Sequence, residues 1–236
     1  MPQPFSRRFF LTATGAALAA PRAPWSAEGG PSSLDHIIFG INDLDRGVAF
    51  VEERTGVRAA FGGVHPGRGT RNALVSLGEQ RYLEIIAPDP KQDVPAQIPG
   101  LRDLAELRLV GWAVHTTDIA ALAKKVADAG VAIAEPRDGS RVRPDRKTLR
   151  WKSFSLKDDH HGLLPFFIEW SRDSVHPSTD APAGCHLAHF SIRSPGPAEL
   201  GRALRTLGID YAVELSDKPR LVARISGPRG EFDLSS

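Results

Sequence analysis

Residues 34–41 form a short run rich in β-branched and aromatic residues, which is typical of a β-strand. Because successive side chains of a strand point to opposite faces, Ile37 and Phe39 share one face and His36 lies on the other. The face with Ile37 and Phe39 is apolar and needs a second layer to cover it. The pattern therefore predicts a strand that carries a histidine on its uncovered side.

The residues that follow predict a helix and then three further strands. Apolar residues recur at helical spacing between Asp43, a predicted N-cap, and Gly56, which stands where a C-terminal glycine belongs. Three extended stretches separated by glycine-bearing turns come next, at 57–62, 71–77 and 81–87. A sheet that is covered by a helix on one side can line a cup with its other side. We predict that His36 and Glu84 point into this cup.

The same succession of elements recurs twice further along the chain. Residues 110–170 repeat the outline, with Glu169 standing in the last strand where Glu84 stood, and a shorter copy follows. Internal repeats of this kind indicate a modular fold. We predict an α+β fold of repeated βαβββ modules that form a cup-shaped mixed sheet with helices on its convex face. The predicted modules occupy residues 33–90, 106–172 and 185–236.

Four short stretches combine strand patterns with histidine, arginine or glutamate residues. They are 34–36, 65–72, 82–90 and 166–170. Together they resemble the glyoxalase-like domain family of the vicinal oxygen chelate superfamily, over about residues 33–175. The resemblance implies paired βαβββ modules, but it does not fix the reaction, because one fold hosts many chemistries.

The resemblance also implies a divalent metal, held by one residue from the first strand and one from the last strand of each of two modules. Carried over position by position, it implies that His36, Glu84 and Glu169 are ligands. Gly111 stands at the fourth position, and His115 lies four residues further along the same strand. Three alternatives stay open: water completes the site, His115 reaches in from a shifted strand, or the protein binds no metal.

Imidazole and carboxylate ligands together suit Zn²⁺, Fe²⁺, Mn²⁺ or Ni²⁺, and open positions let the adjacent oxygens of a substrate chelate the ion. The first functional hypothesis is a metal-dependent lyase, isomerase or dioxygenase acting on a small oxygenated molecule, with Glu169 as the general base. The second is a metal-free protein that binds or sequesters a small ligand. In that case Glu84 would pair with an arginine such as Arg81 or Arg150.

Three further polar residues are predicted to contact the substrate. His65 and Arg68 lie in a stretch rich in proline and glycine that predicts a loop at the rim of the cup. This loop could gate the substrate or serve as a structural turn. Asn72 is placed where its amide could donate a hydrogen bond to a bound ligand.

The N-terminus predicts export. Two arginines precede an apolar stretch in the manner of a twin-arginine signal, so residues 1–27 are interpreted as a signal peptide recognised by the twin-arginine export machinery. The apolar stretch over 11–20 is too short for a stable membrane span. The mature protein is therefore expected in the periplasm or outside the cell.

The charge pattern argues against nucleic acid as a partner. Cleavage after residue 27 would remove three arginines and no acidic residue, which leaves 27 bases facing 28 acids. The one arginine-rich run, over 137–152, contains interspersed aspartates and is interpreted as a solvated hairpin. A small molecule is the predicted ligand.

Overall fold

The structure of the protein is a computed structural model in which residues 33–143 and 145–236 are described. The predicted signal peptide at 1–27 lies outside the described residues. Within the described part, no helix is long and apolar enough to cross a membrane.

The chain forms twelve strands and four α-helices over the described residues. The first group comprises β1 (Leu34–Gly40), α1 (Leu44–Thr55), β2 (Ala60–His65), β3 (Thr70–Ser76) and β4 (Tyr82–Pro88). The second comprises β5 (Arg108–His115), α2 (Ile119–Asp128), β6 (Arg137–Val142), β7 (Thr148–Phe154) and β8 (Phe166–Trp170). The third follows the short helix α3 (Pro177–Asp180) and comprises β9 (His186–Ser194), α4 (Pro197–Thr206), β10 (Val213–Leu215), β11 (Arg220–Gly227) and β12 (Gly230–Ser235).

The first eight strands close into a barrel in the order β1-β4-β3-β2-β6-β7-β8-β5. The pairs β1–β4 and β5–β8 are parallel, whereas β1 and β5 run antiparallel. The barrel closes on the other side through β2 and β6, which pair at Val64 and Val142. The predicted mixed α/β fold with a curled sheet is confirmed. The sheet forms a closed barrel, where an open cup was predicted, because β2 and β6 join the two halves.

The outer face of the barrel carries the hydrophobic core. Ile37 and Phe39 of β1 are fully buried there together with Val51 of α1. The helix begins and ends as predicted: the Asp43 side chain accepts hydrogen bonds from two backbone amides of the first turn, and Gly56 takes a left-handed conformation with φ of 79°. The main core thus lies outside the barrel, while a smaller apolar cluster that includes Trp151 and Ile168 lines part of the interior.

The remaining strands form a second sheet in the order β10-β9-β11-β12. It packs on the outside of the barrel, where Phe232 contacts Phe39 and Phe50, and Phe190 contacts Trp112. The third segment of the chain therefore extends the outer core and contributes no side chain to the lining of the barrel interior.

Candidate functional site

The barrel encloses a cavity of about 550 Å³. One part of its wall is aromatic and the other is polar. The aromatic part is formed by Tyr82, Trp151, Phe166 and Trp170. The polar part is formed by His36, His65, Arg68, Asn72, Glu84, Arg137 and Arg141. A concave cavity that combines apolar walls with convergent polar groups is the usual form of a small-molecule site, and this one is rich in charged groups.

Asp35 fixes the orientation of the His36 ring on β1. Its Oδ1 lies 2.6 Å from His36 Nδ1, while Oδ2 accepts hydrogen bonds from Trp170 Nε1 at 3.0 Å and from His176 Nε2 at 3.2 Å. Burial alone would raise the pKa of Asp35, but the hydrogen bonds from His176 and His36 outweigh it and hold the pKa far below the ordinary carboxyl range. An ionised Asp35 therefore accepts the Nδ1 proton of His36 and leaves Nε2 facing the cavity.

Glu84 on β4 is a buried carboxylate whose two oxygens have different surroundings. Oε1 accepts a hydrogen bond from Asn72 Nδ2 at 2.6 Å. Oε2 lies 3.6 Å from His36 Nε2, beyond hydrogen-bond distance for this pair. Burying a carboxylate without partners costs free energy, and the hydrogen bond from Asn72 offsets part of that cost. One oxygen is held by the protein, and the other faces the cavity beside an oriented imidazole.

Arg141 on β6 brings a positive charge into the barrel. Its Nη1 donates to Asn72 Oδ1 at 3.0 Å, so Asn72 bridges Glu84 and Arg141. The side chain is only 4% exposed, and burial lowers the pKa of its guanidinium. Sequence reasoning missed this residue, because the hairpin over 137–152 was interpreted as solvated.

His65 is the last residue of β2 and lies inside the barrel, where a loop at the rim was predicted. Its Nδ1 contacts Thr70 Oγ1 at 2.9 Å, and its Nε2 lies 3.4 Å from Asn72 Nδ2. Burial lowers its pKa to about 4, although the charge of Glu84 acts in the opposite direction. The ring is therefore neutral at pH 7. Because the Asn72 amide nitrogen is a donor, Nε2 is assigned as the acceptor and Nδ1 as the donor to Thr70.

The stability of the protein should fall as the pH is lowered from about 6.5 to about 4, because the unfolded chain protonates His65 at its ordinary pKa of 6.5 and the folded chain does so only near 4. The contribution is on the order of 3 kcal/mol. Urea unfolding across this range should show a shallower loss of stability for His65→Gln. The exposed His161→Gln is the matched control, and an unchanged slope in His65→Gln would contradict the assignment.

The sequence model of a family described as glyoxalase-like domain matches residues 34–208 of the chain. This match spans the whole barrel and most of the chain. The chain belongs to the glyoxalase-like domain family. The predicted resemblance is thereby confirmed at the level of the family. No curated protein matches the sequence.

Solved structures share the fold of this glyoxalase-like protein at low identity. A hypothetical protein from Staphylococcus aureus is 18% identical, with a TM-score of 0.61 over 86% of this chain and 84% of that one. Methylmalonyl-CoA epimerase from Mycobacterium tuberculosis is 17% identical, with a TM-score of 0.43 over 61% and 90% of the two chains. A Streptomyces coelicolor methylmalonyl-CoA epimerase variant in complex with 2-nitronate-propionyl-CoA is 24% identical, with a TM-score of 0.46 over 62% and 99%.

Glu169 does not face the cavity of the glyoxalase-like barrel, which corrects its predicted orientation. Its Oε2 accepts a hydrogen bond from the backbone amide of Ile119 at 2.8 Å, at the beginning of α2. Its neighbours Ile168 and Trp170 line the cavity. The carboxylate lies on the outer face of β8, where it satisfies an amide of the first helical turn. The structure therefore does not bring Glu169 together with His36 and Glu84.

The strand register explains this difference between the halves of the barrel. In the first half His36 pairs with Tyr82, and in the second Ala113 pairs with Phe166. When the two halves are aligned on these pairs, Ala113 corresponds to His36. Ile168, two residues after Phe166, corresponds to Glu84, two residues after Tyr82. The second half thus presents two apolar side chains at these positions, where the sequence alignment had placed Gly111 opposite His36 and Glu169 opposite Glu84; His115, the alternative ligand, lies two residues beyond Ala113.

His115 also lies outside the barrel cavity. It borders a separate surface pocket together with His176, and its buried Nδ1 has no hydrogen-bond partner among the described residues. Arg68 does line the cavity, in the turn after β2, where its Nη1 donates to Gln97 at 3.3 Å. Arg150, one suggested partner of Glu84, is exposed and lies 3.7 Å from Asp173.

The residues present do not fit the divalent metal centre that the resemblance implies. No group of three or more histidine, cysteine, aspartate or glutamate side chains within 33–143 and 145–236 is arranged to hold an ion. His36 and Glu84 supply the first pair of positions, but Ala113 and Ile168 supply the second. The cavity wall also carries arginines, whose charge opposes that of a cation.

Proposed function

We propose that this glyoxalase-like protein is an enzyme of the isomerase or lyase class. It removes a proton from a carbon next to the carbonyl group of a small oxygenated molecule held in the barrel cavity. Glu84 is the base, and the observation that carries this proposal is the unequal state of its two oxygens. Asn72 holds Oε1 at 2.6 Å, whereas Oε2 lies 3.6 Å from His36 Nε2, and both of these side chains line the cavity. A positioned carboxylate of this kind suits general base catalysis.

In the proposed reaction the proton moves from the substrate carbon to Glu84 Oε2. The electron pair of the broken C–H bond shifts onto the carbonyl oxygen and gives an enolate. Return of the proton to the same or an adjacent carbon completes an isomerisation. His36 Nε2, which is 3.6 Å from the carboxylate and oriented by Asp35, can donate or accept a proton at the same place. Fixed charges in a closed cavity stabilise such an enolate more strongly than water does.

Proton exchange with solvent tests this proposal directly. The protein is incubated in D₂O with dihydroxyacetone, 2-oxobutyrate and related carbonyl compounds, and NMR measures deuterium at the carbon next to the carbonyl. We expect at least one compound to exchange faster than in buffer alone. Binding of a compound without any enzymatic exchange would instead support the second hypothesis, a metal-free binding protein, which the arginines and aromatic rings of the cavity wall also favour.

We also propose that the three segments of the chain are copies of one βαβββ module. The order of elements supports this, since strand, helix and three strands recur in each segment. The register of β1 with β4, which matches that of β5 with β8, supports it further. A test is independent expression of residues 33–175, which should fold by circular dichroism if the first two modules form a complete barrel.

Export through the twin-arginine route is a further proposal, supported by the paired arginines at positions 7 and 8 and the apolar stretch behind them. In a bacterial host we expect a shortened protein in the periplasmic fraction. The double change Arg7→Lys and Arg8→Lys should keep the full-length chain in the cytoplasm, whereas an unchanged distribution would contradict the proposal.

A further inference from the structure

Arg141 is a buried cation whose charge no acidic side chain neutralises directly. Its guanidinium forms no ion pair within 4.0 Å in the described part of the chain, and the hydrogen bond that it makes there goes to the neutral amide of Asn72. A guanidinium has five N–H donors. Because the residue lines the cavity, its other donors are directed at the space that a ligand would fill.

Two glycines of β2 make room for this arginine. A Cβ atom on Gly62 would lie 2.1 Å from Arg141 Nη1, and one on Gly63 would lie 2.8 Å from Arg141 Cγ. Real Cβ atoms do not approach other atoms so closely, so any side chain at either position would displace the arginine. The space that the Arg141 side chain occupies in the barrel therefore depends on the two glycines of the neighbouring strand β2.

Two further arginines contribute positive charge to the wall of the same cavity. The half-buried Arg68 and the exposed Arg137 line it as well, and they lie close enough for their charges to interact. Burial lowers the pKa of Arg68, and the charge of Arg137 lowers it further. Three arginines line the cavity against two carboxylates, those of Glu84 and Asp159, while the buried Asp35 is paired with His36 and His176. The excess of positive charge gives the cavity a potential that attracts anions.

We infer that the ligand of the barrel cavity carries a carboxylate group, which Arg141 binds through the donors that Asn72 leaves free. The guanidinium fork matches the two oxygens of a carboxylate. A singly charged carboxylate suits the site better than a phosphate, because Glu84 is linked to Arg141 through one intervening amide and repels a dianion more strongly. The inference rests on the proposed function only for the statement that this carboxylate compound is the substrate.

Binding of 2-oxobutyrate, its uncharged methyl ester and inorganic phosphate tests the inference. The indole NMR signals of Trp151 and Trp170, which line the cavity, report binding. We expect 2-oxobutyrate to bind in preference to the ester and to phosphate. Arg141→Gln should raise its Kd by about 10- to 100-fold, the loss typical of a charged hydrogen-bond pair. Gly62→Ala should raise it similarly, and Arg141→Lys, which keeps a buried cation, should raise it less.

Arg150→Gln is the matched control, since this arginine belongs to the same hairpin but is exposed. An unchanged Kd in Arg141→Gln, or equal binding of the acid, the ester and phosphate, would overturn the inference. The proposed function fails separately: Glu84→Gln should retain binding and lose exchange. If wild type binds 2-oxobutyrate and exchanges no compound, the catalytic proposal alone is wrong. If Arg141→Gln binds normally while exchange is intact, the carboxylate inference alone is wrong.

Discussion

Replacing Glu84 with glutamine should reduce the rate of enzymatic proton exchange by about 10²- to 10⁴-fold, the contribution typical of a positioned general base. Glutamine has nearly the same shape, and its carbonyl oxygen can still accept the hydrogen bond from Asn72. It has no basic oxygen to offer the substrate. The change therefore removes the proposed base and preserves the wall of the cavity.

The same variant should bind a carboxylate ligand at least as well as the wild-type protein, because it removes a negative charge from a cavity lined by arginines. Glu79→Gln is the matched control, since Glu79 is an exposed glutamate in the turn before β4. Exchange that continues at the wild-type rate in Glu84→Gln would show that another group takes the proton.

Asp35→Asn should lower the free energy of unfolding by about 2–4 kcal/mol at pH 7, because a fully buried carboxylate loses its charge-assisted hydrogen bonds. Asp35 accepts from Trp170 Nε1 and lies against both His36 and His176. An asparagine offers one acceptor oxygen and turns an NH₂ group toward the remaining donors. Urea unfolding measures the difference.

The effect of Asp35→Asn should depend on pH with a defined sign. The folded-state pKa of Asp35 is depressed, so its stabilisation is present above the ordinary value of 3.8 and is lost as the pH falls below that value. Wild type and variant should therefore converge in stability under strongly acidic conditions. Asp43→Asn is the matched control, because asparagine caps a helix about as well as aspartate. A difference that stays constant down to acidic pH would contradict an ionised Asp35.

The pairing of His36 with Glu84 could be predicted because it follows from local rules. Strand alternation placed each side chain on the inner face, and the caps at Asp43 and Gly56 bounded the helix between them. Each of these features depends on a few neighbouring residues, which is the information a sequence pattern carries best.

Glu169 shows where such rules fail. Phe166–Trp170 is apolar on both faces, so alternation alone did not reveal which face lines the cavity. The pairing of Ala113 with Phe166 decides it, and that register depends on residues about fifty positions apart. A sequence pattern contains no direct measure of such a long-range pairing.

Arg141 was missed for a related reason. Its strand alternates between exposed and buried residues, with Gly139 and Arg141 on the inner face. The glycine pair at 62–63 and the glycine at 139, where a Cβ atom would lie 2.4 Å from the Trp151 ring, were the available signals of side chains crowded into the barrel. These glycines indicate side chains inside the barrel only when the pairing of β2 with β6 is known, and that pairing joins the two halves of the chain.

We propose that Glu84 transfers a proton inside the barrel with no metal ion taking part. The most direct measurement is the rate of deuterium exchange into a carbonyl compound by wild-type protein before and after treatment with a chelator. We predict equal rates within about twofold, well below the tenfold that 1.4 kcal/mol of barrier represents. A loss of exchange on chelation that an added divalent metal restores would contradict the claim.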